Sequence, residues 1–261
     1  GVMSIIERMK KRRDGGGSEK KDSVSVGVGN VEIEVKELRK EVASIEEDKS
    51  KTIEVDLIDS VRLTKRDLEI LRFVNRFDYV YLEHIAEMFD LSIESRRAYQ
   101  IVSRLKKLDF LKSKEVFARQ PQVIFLGKKG AEILGSKQPK KINLSTFEHD
   151  INNIFVYISL TKKYPKATIK TDKELLKDSY KMGERGHRPD LIIIDDNDYI
   201  AIEVELTRKT ANRLKKIKQY YLDNDEYTKV IYICNDVTYS YIKKFFDGSS
   251  FFSIVSIKEN I

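Results

Sequence analysis

Three carboxylates carry the clearest chemical signal in the chain. Pro189-Asp190 opens one apolar run, and Glu203-Val204-Glu205 closes the next, with Asp190 and Glu203 13 residues apart. Leu191–Ile194 and Tyr199–Glu205 read as a hairpin turned at Asp195-Asp196-Asn197-Asp198, which folds Asp190 and Glu203 back to the same end of a sheet. Glu203 and Glu205 are two residues apart and share a strand face. Grouping three carboxylates is electrostatically costly without a cation. A divalent ion, Mg²⁺ or Mn²⁺, would offset that cost and activate a water against a phosphodiester, which makes Asp190, Glu203 and Glu205 the expected metal ligands. The competing reading of the same residues is a set of solvated carboxylates at a sheet edge. His149, one turn into a helix, is either a site residue beside Asp190 or a hydrogen-bonded structural histidine. Lys215 and Lys218, on the basic helix that follows, are candidates to stabilise developing phosphate charge.

The elements that must position these groups follow from Ser145 onward. Ser145 is expected to cap a helix whose apolar positions Phe147, Ile151, Ile154, Phe155 and Ile158 repeat at helical spacing. A strand (Ala167–Thr171), a polar loop (Lys177–His187), the hairpin, a basic helix (Thr210–Leu222) and a buried strand (Val230–Cys234) come next. A helix (Tyr239–Phe246) and a last strand (Phe251–Ile257) complete an αβββαβ order continued by αβ. Arg208, Lys209, Arg213, Lys215, Lys216 and Lys218 form a basic stripe that either holds phosphates or is simply solvated. Tyr220 and Tyr221 either stack on bases or belong to the core. Gly183-Glu184-Arg185-Gly186-His187 has no helix after its glycines and is not a nucleotide-cradling loop, which leaves a DNA-contacting loop as its functional reading.

Upstream, Arg62–Gly135 predicts a second unit. Thr64 and Asp67 make a capping-box-like start to a helix ending near Phe77, and a short helix spans roughly Tyr81–Phe89. After a turn at Asp90-Leu91-Ser92, a third helix near Ile93–Leu108 turns Tyr99, Val102 and Leu105 inward. It turns Arg96, Arg97, Gln100, Arg104 and Lys107 outward. A short turn followed by a basic helix is the helix-turn-helix layout, so these five residues are the expected DNA contacts, joined by Arg208 and Tyr221 from the later domain. Phe110–Lys112 and Val123–Leu126 suit the two strands of a wing. Leu126-Gly127-Lys128-Lys129-Gly130-Ala131 resembles the strand, Leu-Thr, x-x-Gly ending of bacterial winged-helix domains.

Composition bounds the rest. The net charge of +7 favours a polyanionic partner. The single cysteine, Cys234, excludes an intrachain disulfide or a multi-cysteine zinc site and is expected in the core. No run approaches the roughly 18 apolar residues that span a bilayer, and the start lacks a signal-peptide core, so a cytoplasmic protein without membrane contact is expected. Residues 1–58 divide into a basic arm around Lys10–Arg13 and a two-heptad apolar repeat, Val31, Val35, Leu38, Val42 and Ile45. That repeat would serve either self-association or partner docking, or pack on its own chain. The expected boundaries are 60–135 for the winged helix, 136–144 for a linker and 145–261 for the second domain.

From Ser145 to Ile233 the sequence resembles the PD-(D/E)xK superfamily of restriction-endonuclease-like proteins. Pro189-Asp190 stands for the PD, and Glu203-Val204-Glu205 for the (D/E)xK, with Glu205 where the superfamily places its lysine. Glu148-His149-Asp150 and the Lys215…Lys218…Tyr221 helix, all behind a winged helix, narrow the likeness. They resemble the replication-relaxation family and the restriction-endonuclease-like relaxases of mobilisable plasmids. The resemblance implies an α/β fold (α+β overall) and a DNA-binding role in replication or conjugative mobilisation of a plasmid or mobile element. It also implies a relaxase-like, Mg²⁺-dependent nicking activity in which Asp190, Glu203, Glu205, His149 and Lys215 or Lys218 take part. The alternative is a non-catalytic replication or transcription regulator with a degenerate nuclease fold.

Overall fold

In the computed structural model the chain is described over residues 63–91, 96–138, 142–182 and 187–259. The basic arm, the heptad repeat and parts of the third-helix start, the linker and the glycine-containing loop lie outside the described residues. Helix α1 (Lys65–Phe77) starts as its sequence dictates. The Thr64 N–H donates to Asp67 Oδ2 (2.8 Å) and the Asp67 N–H donates to Thr64 Oγ1 (3.2 Å), so the box satisfies N–H groups that a helix start leaves without partners. Helices α2 (Leu82–Met88) and α3 (Arg97–Lys107) follow, then strands β1 (Leu111–Lys114) and β2 (Val123–Leu126), paired antiparallel with Leu111 opposite Leu126. Three helices and a two-stranded wing are thus present. Val80 joins the wing by exchanging backbone hydrogen bonds with Ile124.

Helix α4 (Lys128–Ile133) closes this half, and its two glycines have a steric reason. A Cβ at Gly127 would lie 2.2 Å from the Asp109 carbonyl oxygen, and one at Gly130 would lie 2.2 Å from that of Phe110. Backbone packs directly on backbone there, which only glycine permits.

Two expectations for α3 are corrected. Tyr99 is 62% exposed rather than inward, because Ala98, Val102 and Leu105 form the buried stripe. Arg104 does not face outward freely: its Nη2 donates to Oδ1 of the fully buried Asp67 (2.6 Å). A buried carboxylate demands a partner, and Arg104 is the cation within reach.

The second half is mixed α/β. Helix α5 (Phe147–Lys163) leads to β3 (Thr168–Thr171), α6 (Asp172–Met182) and the hairpin β4 (Leu191–Asp195) and β5 (Asp198–Glu205). Then come α7 (Ala211–Leu222), β6 (Lys229–Cys234), α8 (Asp236–Phe246) and β7 (Phe252–Ser256). The sheet order is β3-β4-β5-β6-β7, antiparallel across the first two pairs and parallel across the last two. Parallel neighbours need a crossover, and α7 and α8 supply them. Most of the expected polar loop from Lys177 is instead the end of α6. Its start is fixed by Glu174, whose Oε2 accepts from the Thr171 N–H (2.9 Å). Ser145 does not cap α5; Thr146 occupies the N-cap and makes no side-chain capping bond.

One apolar cluster runs from α1 through α5 to one face of the sheet, and a second fills the opposite face beneath α7 and α8. Helix α5 is the wedge between the two halves. Tyr79 stacks on Phe147 (5.5 Å) and Phe77 meets Tyr157 edge-on (5.1 Å). Around this apolar seam, Tyr79 Oη donates to Asp150 Oδ2 (2.7 Å) and Arg76 pairs with Glu174 (3.1 Å). Such aromatic pairs add roughly 0.5–1.5 kcal/mol each beyond their buried area.

Candidate functional site

The hairpin register puts Leu191 opposite Ile202, so Asp190 and Glu203 stand at the same end of adjacent strands. Asp190 Oδ2 accepts the Val204 N–H (2.8 Å), which carries the ladder one step beyond β4. Beyond this end lies a cavity of about 800 Å³, lined by His149, His187, Arg188, Asp190, Glu203, Glu205, Arg208, Lys209, Thr210 and Arg213 among others. The three expected carboxylates do meet there. They are not solvated at a sheet edge, because β5 is the central strand and Glu203 and Glu205 are each only 2% exposed.

Each carboxylate already has a nitrogen of the protein against it. His149 Nε2 lies 3.3 Å from Asp190 Oδ2 and 3.2 Å from the Val204 carbonyl oxygen. Burial alone would discharge this imidazole, but the carboxylates of Asp150 and Asp190 outweigh it and push its pKa up to about 10. The raised pKa favours the imidazolium, in which both nitrogens donate. Asn153 sits 3.2 Å from its Nδ1, and the amide oxygen that this cation needs is the atom left without a partner. Turning that amide over satisfies both groups. Glu203 Oε1 is shared by His187 Nε2 (2.6 Å) and by the Tyr221 hydroxyl, which donates to it from the core. His187 is further fixed edge-on against Tyr220 and Tyr221. Lys209 Nζ forms an ion pair with Glu205 Oε2, off the hydrogen-bonding direction. Burial raises the Glu205 pKa, a rise that Lys209 opposes.

Other expected site residues fall elsewhere. Lys215 is exposed on α7, and Lys218 lies over the rings of Phe245 and Phe246 (5.8 and 5.5 Å); neither lines the cavity. Helix α7 points its apolar stripe of Leu214, Ile217 and Tyr221 at the sheet, which turns those lysines away. Tyr221 cannot stack on DNA, since it is 1% exposed beneath Glu203. Arg208 is exposed at the cavity mouth, with its guanidinium 5.7 Å from the Tyr241 ring centre. Of the expected DNA contacts near α3, Arg96, Arg97, Gln100 and Lys107 are exposed.

Sequence reasoning places His187 only at the end of a DNA-contacting loop and Lys209 only within a solvated or phosphate-holding stripe. Signals for both are present: His187 stands two residues before Pro189-Asp190, and Lys209 stands four after Glu205.

These residues do not fit a divalent metal as they are arranged. Among the described residues, no group of three or more His, Cys, Asp or Glu side chains is placed to hold a metal ion. One oxygen of each carboxylate is already engaged, Asp190 Oδ2 by His149, Glu203 Oε1 by His187 with Tyr221, and Glu205 Oε2 by Lys209.

No protein-family model and no curated protein matches the chain. Solved structures similar to it include NadR in complex with 4-hydroxyphenylacetate, at 13% identity, 63% of this chain, 96% of that chain and a TM-score of 0.27. RV1404 from Mycobacterium tuberculosis aligns at 12% identity over 63% of this chain and 100% of that chain, TM-score 0.29. A mutant of MarR from E. coli complexed with operator DNA aligns at 10% identity over 60% of this chain and 97% of that chain, TM-score 0.27. At TM-scores this low the likenesses carry no argument for this chain.

Proposed function

We propose that this protein binds double-stranded DNA, with α3 in the major groove and the β1–β2 wing on the flanking backbone. The division of α3 carries this reading. Its buried stripe anchors it to the fold, while Arg97, Tyr99, Gln100 and Lys107 stand exposed along the opposite side. Arginine and glutamine are bidentate readers of guanine and adenine edges, and a helix fits the major groove. The wing connection between β1 and β2 is exposed around Arg119, as a backbone contact requires. The net charge of +7 adds long-range attraction.

The finer form of the proposal is a protein acting at a replication or transfer origin of a plasmid or other mobile element. The order α5, β3, α6, β4, β5, α7, β6, which departs from αβββαβ only by the inserted α6, and the meeting of Asp190 with Glu203 support a restriction-endonuclease-like core for the second half. Binding without cleavage is the form we favour, because each carboxylate is already engaged by the protein's own side chains. Metal-dependent nicking is the competing reading and would appear as Mg²⁺-dependent relaxation of supercoiled plasmid, lost in Asp190→Ala.

Fluorescence anisotropy with labelled duplexes over a salt series tests the proposal. Affinity should fall linearly on a log–log plot against salt. Arg97→Ala with Gln100→Ala should weaken binding by about tenfold or more without changing thermal unfolding. A wild-type protein with no duplex affinity at low salt would overturn it.

A further inference from the structure

Three carboxylates brought together need positive charge, and that need is what makes Asp190, Glu203 and Glu205 resemble a metal site. The fold supplies the charge itself. Asp190 faces the His149 imidazolium, Glu203 holds His187, and Glu205 pairs with Lys209. Even the cavity wall follows this pattern, with Arg188 Nε donating to Asp172 Oδ1 (2.9 Å). Each acid of the floor thus lies against a nitrogen of the protein itself, whereas the mouth carries Arg208 and Arg213, both exposed around Thr210 at the start of α7.

The mouth also adjoins the winged helix. Phe117, in the wing connection, meets Phe147 edge-on at 5.2 Å. Phe147 is the first residue of α5, and its neighbours Thr146, Glu148 and His149 line the cavity. A duplex lying on the wing would carry its flanking phosphates towards Arg208 and Arg213.

We propose that this constellation is a metal-free device: its carboxylates are counter-ions that lock His149, His187 and Lys209 in place, and its arginine mouth takes backbone phosphates of the DNA held by the wing. The proposal rests on the DNA-binding reading for its ligand but not for its metal-free floor. Arg208 and Arg213 supply the phosphate contacts; His149 and Lys209 are positioning residues that keep the floor closed.

The experiment has two arms on the full chain. In the first, Mn²⁺ binding is followed by electron paramagnetic resonance without DNA. Wild type should leave the free-ion signal unchanged at millimolar Mn²⁺; a bound ion that is lost in Asp190→Asn overturns the metal-free floor. In the second, duplex affinity is measured against salt in EDTA and again in Mg²⁺. Mg²⁺ competes with the protein as a DNA counter-ion, so wild type should bind no more tightly in Mg²⁺ than in EDTA at the same salt, and tighter binding in Mg²⁺ overturns the metal-free floor. Arg208→Ala with Arg213→Ala should lower the slope of log affinity against log salt by about two, roughly one unit per lost phosphate contact. An unchanged slope in that variant, while Arg97→Ala with Gln100→Ala still loses affinity, overturns the role of the mouth alone. If wild type binds no duplex, the DNA-binding proposal and the role of the mouth fall together. The Mn²⁺ arm still decides the floor.

Discussion

His84 and His149 occupy the two halves of the molecule, and the fold treats them in opposite ways. His84, on α2, is fully buried, accepts the Tyr81 N–H on Nδ1 (3.1 Å) and meets Phe155 edge-on (4.2 Å). With no carboxylate against it, burial pushes its pKa down to about 4. His149, on α5, experiences the same penalty, but Asp150 and Asp190 reverse it. The contrast shows that burial does not decide whether an imidazole is charged; the neighbouring counter-charges do. It also separates the halves by purpose. The winged-helix half buries one carboxylate, Asp67, within a helix cap, whereas the sheet half gathers three at one cavity. Buried charge beyond what the fold needs marks a site.

The largest expected break in this comparison lies at Lys209. Lys209→Met leaves Glu205 buried without its cation and should cost about 3 kcal/mol by urea unfolding at neutral pH. Adding Glu205→Gln should recover most of that loss. A single variant as stable as wild type would show that the pair does not hold the floor. In the other half, Asp67→Ala removes the acceptor of the Thr64 N–H and the partner of Arg104, at an expected cost of about 2 kcal/mol. Arg104→Ala leaves the buried Asp67 carboxylate without its cation and should cost at least as much.

The sharpest test, read as titration midpoints rather than as stability, is the pH response of the two rings. For His84 the folded pKa lies below the ordinary 6.5, so its contribution to stability is complete above 6.5 and is lost as pH falls towards about 4. For His149 the folded pKa lies above 6.5, so its contribution is complete below 6.5 and is lost as pH rises through about 10. Ring chemical shifts followed by NMR should show His84 neutral and His149 charged at pH 7. Asp190→Asn should move the His149 midpoint down and leave that of His84 in place. Equal midpoints in wild type would remove the distinction between the halves.

Much of this arrangement is legible in the residues themselves. Helical spacing locates α1, α2 and α5, turn chemistry locates the hairpin at Asp195–Asp198, and strand arithmetic brings Asp190 to Glu203. Those features depend on neighbours close in sequence, for which period and capping are sufficient signals. Tyr99 departs from its expected side because one residue of helix phase is a rotation of about 100°, which takes a side chain off the stripe of Ala98, Val102 and Leu105. Arg104 reads as solvent-facing from spacing alone because its partner, Asp67, is 37 residues away and the burial of that partner is a tertiary property.

The sequence alone determined the element types except α6, the pairing of the hairpin and which three acids would gather. Tertiary structure decided what those acids hold. His187 reaches Glu203 across 16 residues, Tyr221 across 18, and His149 reaches the Val204 carbonyl beside Asp190 across 55. No local period encodes such distances. They follow from the way α5 and α7 pack on the sheet, which is set by the burial of whole faces rather than by any one residue.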